Sequence, residues 1–223
     1  KSMHSHLEDI AKQAEKKVIL KNKDIILDIA SNDGTLLKKY KNRKVIKFGI
    51  DPTIKKFQKY YPKNYLTFPG FFEKNIYNKI TNYKKSKIIT SIAVFYDLQN
   101  PVKFIKDIKS ILDKKGIWVL EQSYFPLLIK NNAYDSICHE HLSYFMHRQL
   151  NLLLKKEKLK IIDVSFNNMN GGSVRFFISH QDSEYKVNNK NLSKVLNIEN
   201  KIFSNFSKTK NLFRKNIISS KKK

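Results

Sequence analysis

The chain has 223 residues and a net charge of +25, from 44 Lys and Arg against 19 Asp and Glu; only four are Arg, and the lysines are spread evenly, which fits a solvated lysine coat and argues against nucleic acid as a partner. That length buries a substantial core, and a single cysteine, Cys138, excludes a disulfide framework or a multi-cysteine zinc site made from this chain alone. No apolar run approaches the roughly 20 residues of a membrane helix, and residues 1–20 are too polar for a signal peptide, so a cytoplasmic protein without a membrane partner is expected.

Leu7, Ile10, Ala11 and Ala14 lie at helical spacing and predict an amphipathic helix over 4–17, with His4 and His6 on its solvated surface. Residues 24–30 form a short apolar run that stops at Ser31-Asn32-Asp33-Gly34, and a helix is expected from Thr35 to Tyr40. The alternation recurs with a strand over 44–50, a helix over 53–60, a short strand over 64–68, a strand over 87–93, a helix over 101–112 and a strand over 116–121. Such alternation predicts a mainly parallel sheet with helices on both faces. Beyond residue 121 an aromatic and histidine-rich stretch leads to a helix over 149–156. Two strands follow, 159–166 and 173–180, joined through Asn170-Gly171-Gly172 and expected as an antiparallel pair at the edge of a seven-stranded sheet. Leu192, Val195, Leu196, Ile202, Phe203, Phe206 and Phe213 predict one amphipathic helix in need of a partner.

Ligands of open parallel sheets bind at the carboxyl ends of the strands. Five of the nineteen acids, Asp28, Asp33, Asp51, Asp97 and Glu121, fall in or just after predicted strands. Asp51, some 20 residues beyond the first loop, is placed to accept both hydroxyls of a ribose; Asp-Pro before a helix also reads as a cap. The Ser31–Gly34 loop has one glycine and an acid, which makes it a poor pyrophosphate cradle and suits a nucleoside bearing a positive group. Phe72 reads either as an adenine contact or as core.

Asp28-Ile29-Ala30-Ser31-Asn32-Asp33-Gly34-Thr35-Leu36-Leu37 resembles the first motif of class I methyltransferases, in the form found in nucleotide-sugar C-methyltransferases of deoxysugar biosynthesis. Residues 134–145, containing Cys138-His139-Glu140-His141, and Asn170-Gly171-Gly172-Ser173-Val174-Arg175 look like that family's substrate-side signatures. The resemblance implies a Rossmann-like fold with a core over 1–182, divided into a cofactor-binding part (1–121) and a substrate-side part (122–182), and a truncated C-terminal portion from 183 to 223. It implies S-adenosylmethionine as cofactor, held by Asp28, Ser31, Asn32, Gly34, Asp51, Phe72 and Ala93. The implied substrate is a nucleotide-linked keto sugar, contacted by Tyr96, Tyr124, Tyr144, Asn170 and Arg175, the last at the diphosphate. Zinc-binding N-terminal and C-terminal portions are typical of the family and are expected in a longer parent protein. Ala30 stands where the family usually has glycine and is expected to crowd the cofactor; Cys138 replaces a tyrosine.

Carbon methylation beside a ketone needs a base for the α-proton, donors for the enolate oxygen and in-line approach to the methyl group. His141 is the candidate base, and Glu140, on the opposite side of an extended segment, is expected to bind substrate. A zinc site at His139 and His141 would require that segment to be a strand. RNA or protein methylation is the rival activity, and a methyltransferase-like binding module without turnover is the rival outside catalysis.

Overall fold

The computed structural model describes residues 3–220, so the outermost residues of both expected portions lie outside the described range. Strands form where apolar runs end in turn residues: β1 (Ile25–Ile29), β2 (Ile46–Ile50), β3 (Leu66–Phe68), β4 (Ser86–Ile92), β5 (Leu112–Ser123), β6 (Leu159–Asn167) and β7 (Ser173–His180). They make one sheet in the order β3-β2-β1-β4-β5-β7-β6. Pairings from β3 to β5 are parallel, and β7 runs antiparallel to both β5 and β6. The expected antiparallel pair forms that edge, with β7 inside and β6 outermost.

Before β1 runs α1 (Met3–Lys17); between the strands lie α2 (Thr35–Lys39), α3 (Ile54–Phe57), α4 (Lys74–Thr81), α5 (Pro101–Ile111), α6 (Phe125–Lys130) and α7 (His147–Lys156); after β7 come α8 (Asn189–Ser204) and α9 (Phe206–Ser220). Because strand side chains alternate, Ile26, Ile117 and Val119 meet α1, α2 and α3 on one face. Leu27, Trp118 and Leu120 meet α4, α5, α7 and α8 on the other. The strand order reverses between β1 and β4, which opens a crevice outside their carboxyl ends. No helix among the described residues is long and apolar enough to cross a membrane.

Two helices have no counterpart in the sequence reading. The α4 segment is rich in Lys and Asn and buries only Tyr77, and α6 is a short run inside the aromatic stretch. The single helix expected across 192–213 is in fact two, broken at Asn205. Their fates differ: α8 docks, with Val195 and Glu199 fully buried, whereas α9 buries no residue.

Candidate active site

The β1–α2 loop turns through left-handed residues, Ala30 (φ 60°), Asn32 (φ 49°) and Gly34 (φ 72°). Glycine is required at 34, since a Cβ there would lie 2.7 Å from the Tyr61 ring. Tyr61, which no local pattern marked, braces the loop: its hydroxyl donates to the Asn32 carbonyl (2.9 Å) and sits 2.8 Å from Ser31 Oγ. Asp51 Oδ2 accepts the Asn32 amide (3.0 Å), while Oδ1 accepts both the amide and the hydroxyl of Thr53. Asp51 therefore holds the loop and starts α3 at the same time, and its carboxylate retains one acceptor direction for a ligand. Asp33 is engaged in its own turn. Burial would raise its pKa, but two hydrogen bonds from Thr35, with the Lys38 charge and a backbone hydrogen bond adding to them, outweigh that and hold it below the ordinary carboxylate range.

In front of the loop lies a cavity of about 680 Å³ lined by residues that include Asp28, Ala30, Ser31, Asn32, Asp33 and Ile92, with Met3, His4 and Leu7 of α1 across from them. Asp28 accepts from Thr90 Oγ1 (2.6 Å), and burial, with the Asp51 charge adding to it, pushes its carboxyl up to about 7. Ala30 departs from glycine at a position whose backbone is left-handed, so the departure strains the turn as well as adding a methyl to the cavity wall. Gly34 and Asp51 do not line this cavity themselves, though each neighbours a residue that does. Phe72 packs edge-on against Phe104 in the core, and Ala93 (φ 55°) follows Ile92 with its amide on the Glu121 carbonyl.

Four residues beyond Ile92, Tyr96 begins a second cluster. Its ring lies 4.4 Å from that of His141, and the Ser143 amide donates to its carbonyl. His141 Nδ1 lies 2.8 Å from the Ser136 carbonyl, an acceptor only, so Nδ1 carries the proton and Nε2 is the unprotonated nitrogen of the neutral ring. Nε2 has no hydrogen-bond partner among the described residues. Tyr144 Oη donates to the same carbonyl from 3.3 Å. Burial, with Asp97 and Cys138 adding to it, pushes the Tyr96 phenol up to about 12, so it stays a donor at neutral pH. Partial burial also raises Asp97, with His141 opposing the rise and Glu140 adding to it. His141, Tyr96, Tyr144, Asp97 and Glu140 thus form one neighbourhood. Residues 138–141 make a turn rather than a strand, closed by the His141 amide on the Cys138 carbonyl. The premise that Glu140 and His141 point to opposite sides of an extended segment fails, and so does the geometry that a zinc pair would have used. Among the described residues no group of three or more metal-ligating side chains occurs.

Other expected substrate residues are engaged elsewhere. Arg175 is buried with Nε on Glu121 (2.7 Å) and a terminal nitrogen on Asp9 (2.9 Å), so it does not face a diphosphate. Tyr124 is buried and donates to Glu199 (2.7 Å). Asn170 is an exposed left-handed turn residue (φ 50°) at the tip of the β6–β7 hairpin. His6 is not solvated: it is buried, with Nε2 on the Glu121 carboxylate, and pins α1 to the end of β5. His180 and His147 also separate: His180 Nε2 meets the Leu112 carbonyl, whereas both ring nitrogens of His147 are buried without a hydrogen-bond partner among the described residues, and burial lowers its pKa.

Comparison with known proteins adds to this geometry. A family described as a methyltransferase domain matches residues 3–164. The C-methyltransferase NovU of Streptomyces niveus is 23% identical over 187 residues, covering 83% of this chain and 44% of that protein, so the chain spans less than half the length of this curated relative. The fold is similar to that of a putative methyltransferase from Bacillus halodurans (TM-score 0.57, 10% identity, 81% of this chain and 99% of the other). It is also similar to that of magnesium protoporphyrin IX methyltransferase from Synechocystis PCC 6803 with bound SAH (TM-score 0.59, 9% identity, 79% and 83%). At these identities the structural likeness is one of fold.

Proposed function

The chain belongs to the methyltransferase-domain family, with a class I Rossmann-like fold, and from that premise we propose that it methylates a carbon beside the ketone of a nucleotide-linked keto-deoxysugar, with S-adenosylmethionine as methyl donor. The cavity before the β1–α2 loop fits such a cofactor: the Asp33 carboxylate suits an ammonium group, apolar Leu7, Leu36 and Ile92 suit a thioether chain, and Asp51, hydrogen-bonded to Asn32 of the lining, retains an acceptor for a ribose hydroxyl. The cofactor supplies a methyl group activated on a sulfonium.

The observation that carries the reading is the contact His141 makes through Nδ1 with the Ser136 carbonyl, 2.8 Å away. Its Nδ1 proton is committed to the Ser136 carbonyl, which leaves Nε2 to take a proton from carbon, and Tyr96 beside it remains a phenol able to donate to the developing enolate oxygen. Likeness to the C-methyltransferase NovU supports carbon as the methyl acceptor, and the resemblance of residues 134–145 and 170–175 to substrate-side signatures supports a nucleotide-linked sugar.

Replacement of His141 by Asn tests this. Turnover should fall on the order of 10²- to 10⁴-fold, and solvent deuterium should cease to enter the α-carbon of a nucleotide-linked keto-deoxysugar, while cofactor affinity persists. His139→Asn should cost much less. Undiminished deuterium exchange in His141→Asn would remove His141 as the base.

A further inference from the structure

We propose that Glu199 is a positioning residue: its carboxylate ties together both ends of the 124–147 segment and so holds His141 against Tyr96. The proposal rests on the reading of that segment given above. Glu199 is fully buried on α8. Oε1 accepts from Tyr124 Oη (2.7 Å) at the start of the segment and from the His147 amide (2.6 Å) at its end. Oε2 accepts from Arg148 Nε (3.1 Å) and the Arg148 amide (3.4 Å). The carboxylate thus sits on the first amides of α7, where backbone N–H groups lack helical partners and the helix dipole favours negative charge. Burial and Glu199 together raise the Tyr124 phenol, which keeps it a donor.

What lies between the two ends has little regular structure to hold it: the short α6, a 3-10 turn at Tyr134–Ser136, then coil to Met146. The first half of the segment has a separate anchor. The Tyr124 amide and Asn131 Nδ2 donate to the carbonyls of Gly172 and Gly171. The backbones approach so closely that a Cβ on Gly171 would lie 2.4 Å from Ala133 Cβ, and one on Gly172 2.6 Å from Leu127 Cβ. The half that carries Ser136, His141 and Tyr144 lacks such a backbone seat on the hairpin; it is held by the Ser143 amide on the Tyr96 carbonyl, by Phe145 and Met146 buried in the core with the Phe145 ring 5.0 Å from that of Phe95, and by Glu199 at its far end. A buried carboxylate is costly unless every acceptor direction is filled, and a well-packed apolar residue would serve stability as well or better. Four donors converging from two chain ends make geometry, rather than stability, the reason for an acid at 199.

The Glu199→Gln variant of the full chain keeps the shape but turns an NH₂ toward donors that need an acceptor. Amide hydrogen exchange in residues 134–146 should rise at least tenfold while β1 and β5 stay protected. Nitrogen NMR of the imidazole rings should show His141 losing its fixed Nδ1–H tautomer, with His180, held by the Leu112 carbonyl, unchanged. Tyr124→Phe removes one end only and should move both readouts the same way by less, which keeps the test valid if Glu199→Gln folds poorly. Unchanged exchange and tautomer in both variants overturn the proposal, as does an equal rise across the sheet. The two readings separate cleanly. A loosened segment in Glu199→Gln together with full α-carbon exchange in His141→Asn leaves the clamp standing and removes the base; the reverse pair of results leaves the base and removes the clamp.

Discussion

Two histidines at the carboxyl edge of the sheet meet polar neighbours in opposite ways. His6 presents Nε2 to Glu121, whose other oxygen is gripped by Arg175, which is itself bound to Asp9. His141 fixes Nδ1 on a main-chain carbonyl and leaves Nε2 without a hydrogen-bond partner among the described residues. The first arrangement is a closed ionic network that joins α1, β5 and β7. The second is an open one, in which a single hydrogen bond selects a tautomer and leaves a base. Chemistry at a site needs an atom that the fold has left unsatisfied, and burial among charges, as at His6, is a sign of architecture.

Breaking each network should therefore show in a different measurement. Glu121→Ala leaves the Arg175 guanidinium buried without its nearest partner and should cost about 3–5 kcal/mol in denaturant unfolding, the size seen when one member of a buried pair is removed. His141→Asn, the variant expected to lose turnover, should change stability by less than about 1 kcal/mol, because the ring is only partly buried and makes one hydrogen bond. If His141→Asn proved the less stable of the two, the contrast between the clusters would fail.

A third group in the crevice, Asp28, tests the cofactor side of the comparison through pH. Its carboxyl stands at about 7 in the folded protein against an ordinary 3.8, so the fold favours the protonated form. Its contribution is unpenalised below pH 4, stability is lost as pH rises from 4 to 7, and the loss levels off above 7. The full effect is on the order of 4 kcal/mol. Asp28→Asn should abolish this part of the slope and be the more stable protein at pH 8, as read from the difference between the two unfolding curves across pH. Parallel curves from pH 4 to 8 would mean that Asp28 ionises normally.

The sequence foreshadowed the strands and the β1–α2 loop better than the partners of the later segments, and the reason is distance along the chain. Asp51 is read from its neighbours, since it ends an apolar strand and stands before Pro52 at the start of a helix. Strands β1, β4 and β5 are legible for the same reason. Arg175 and Asp9 are 166 residues apart, His6 and Glu121 are 115 apart, and Tyr124 and Glu199 are 75 apart. No local pattern assigns such partners, so Arg175 and Tyr124 looked available for substrate, and His6 looked solvated. Gly34 could be read as a turn residue, whereas the ring that presses on it, Tyr61, came from the following α/β unit. On the legible side, Asp51→Ala should weaken S-adenosylmethionine binding at least tenfold by calorimetry, since each charge-assisted hydrogen bond lost is worth about 1.5–3 kcal/mol. Unchanged affinity would restrict Asp51 to holding Asn32 and Thr53.

The smallest expected effect compares the entrances to the two clusters. Ala30 leads into the cofactor loop at φ 60°, and Ala93 leads toward Tyr96 at φ 55°. For an alanine the left-handed conformation costs about 1–2 kcal/mol, because Cβ crowds the following carbonyl. Glycine removes that cost but loses about 0.5–1 kcal/mol more conformational entropy on folding. Ala30→Gly should therefore stabilise the fold by about 0.5–1 kcal/mol, which for a chain of this size raises the melting temperature by about 1–4 °C. Ala93→Gly should do the same. A gain at Ala93 with none at Ala30 would mean that the Ala30 methyl contributes packing in the cavity wall equal to the strain it imposes. Cofactor affinity separates that case from the expected one, because a methyl that only strains the turn can be removed without loosening the ligand.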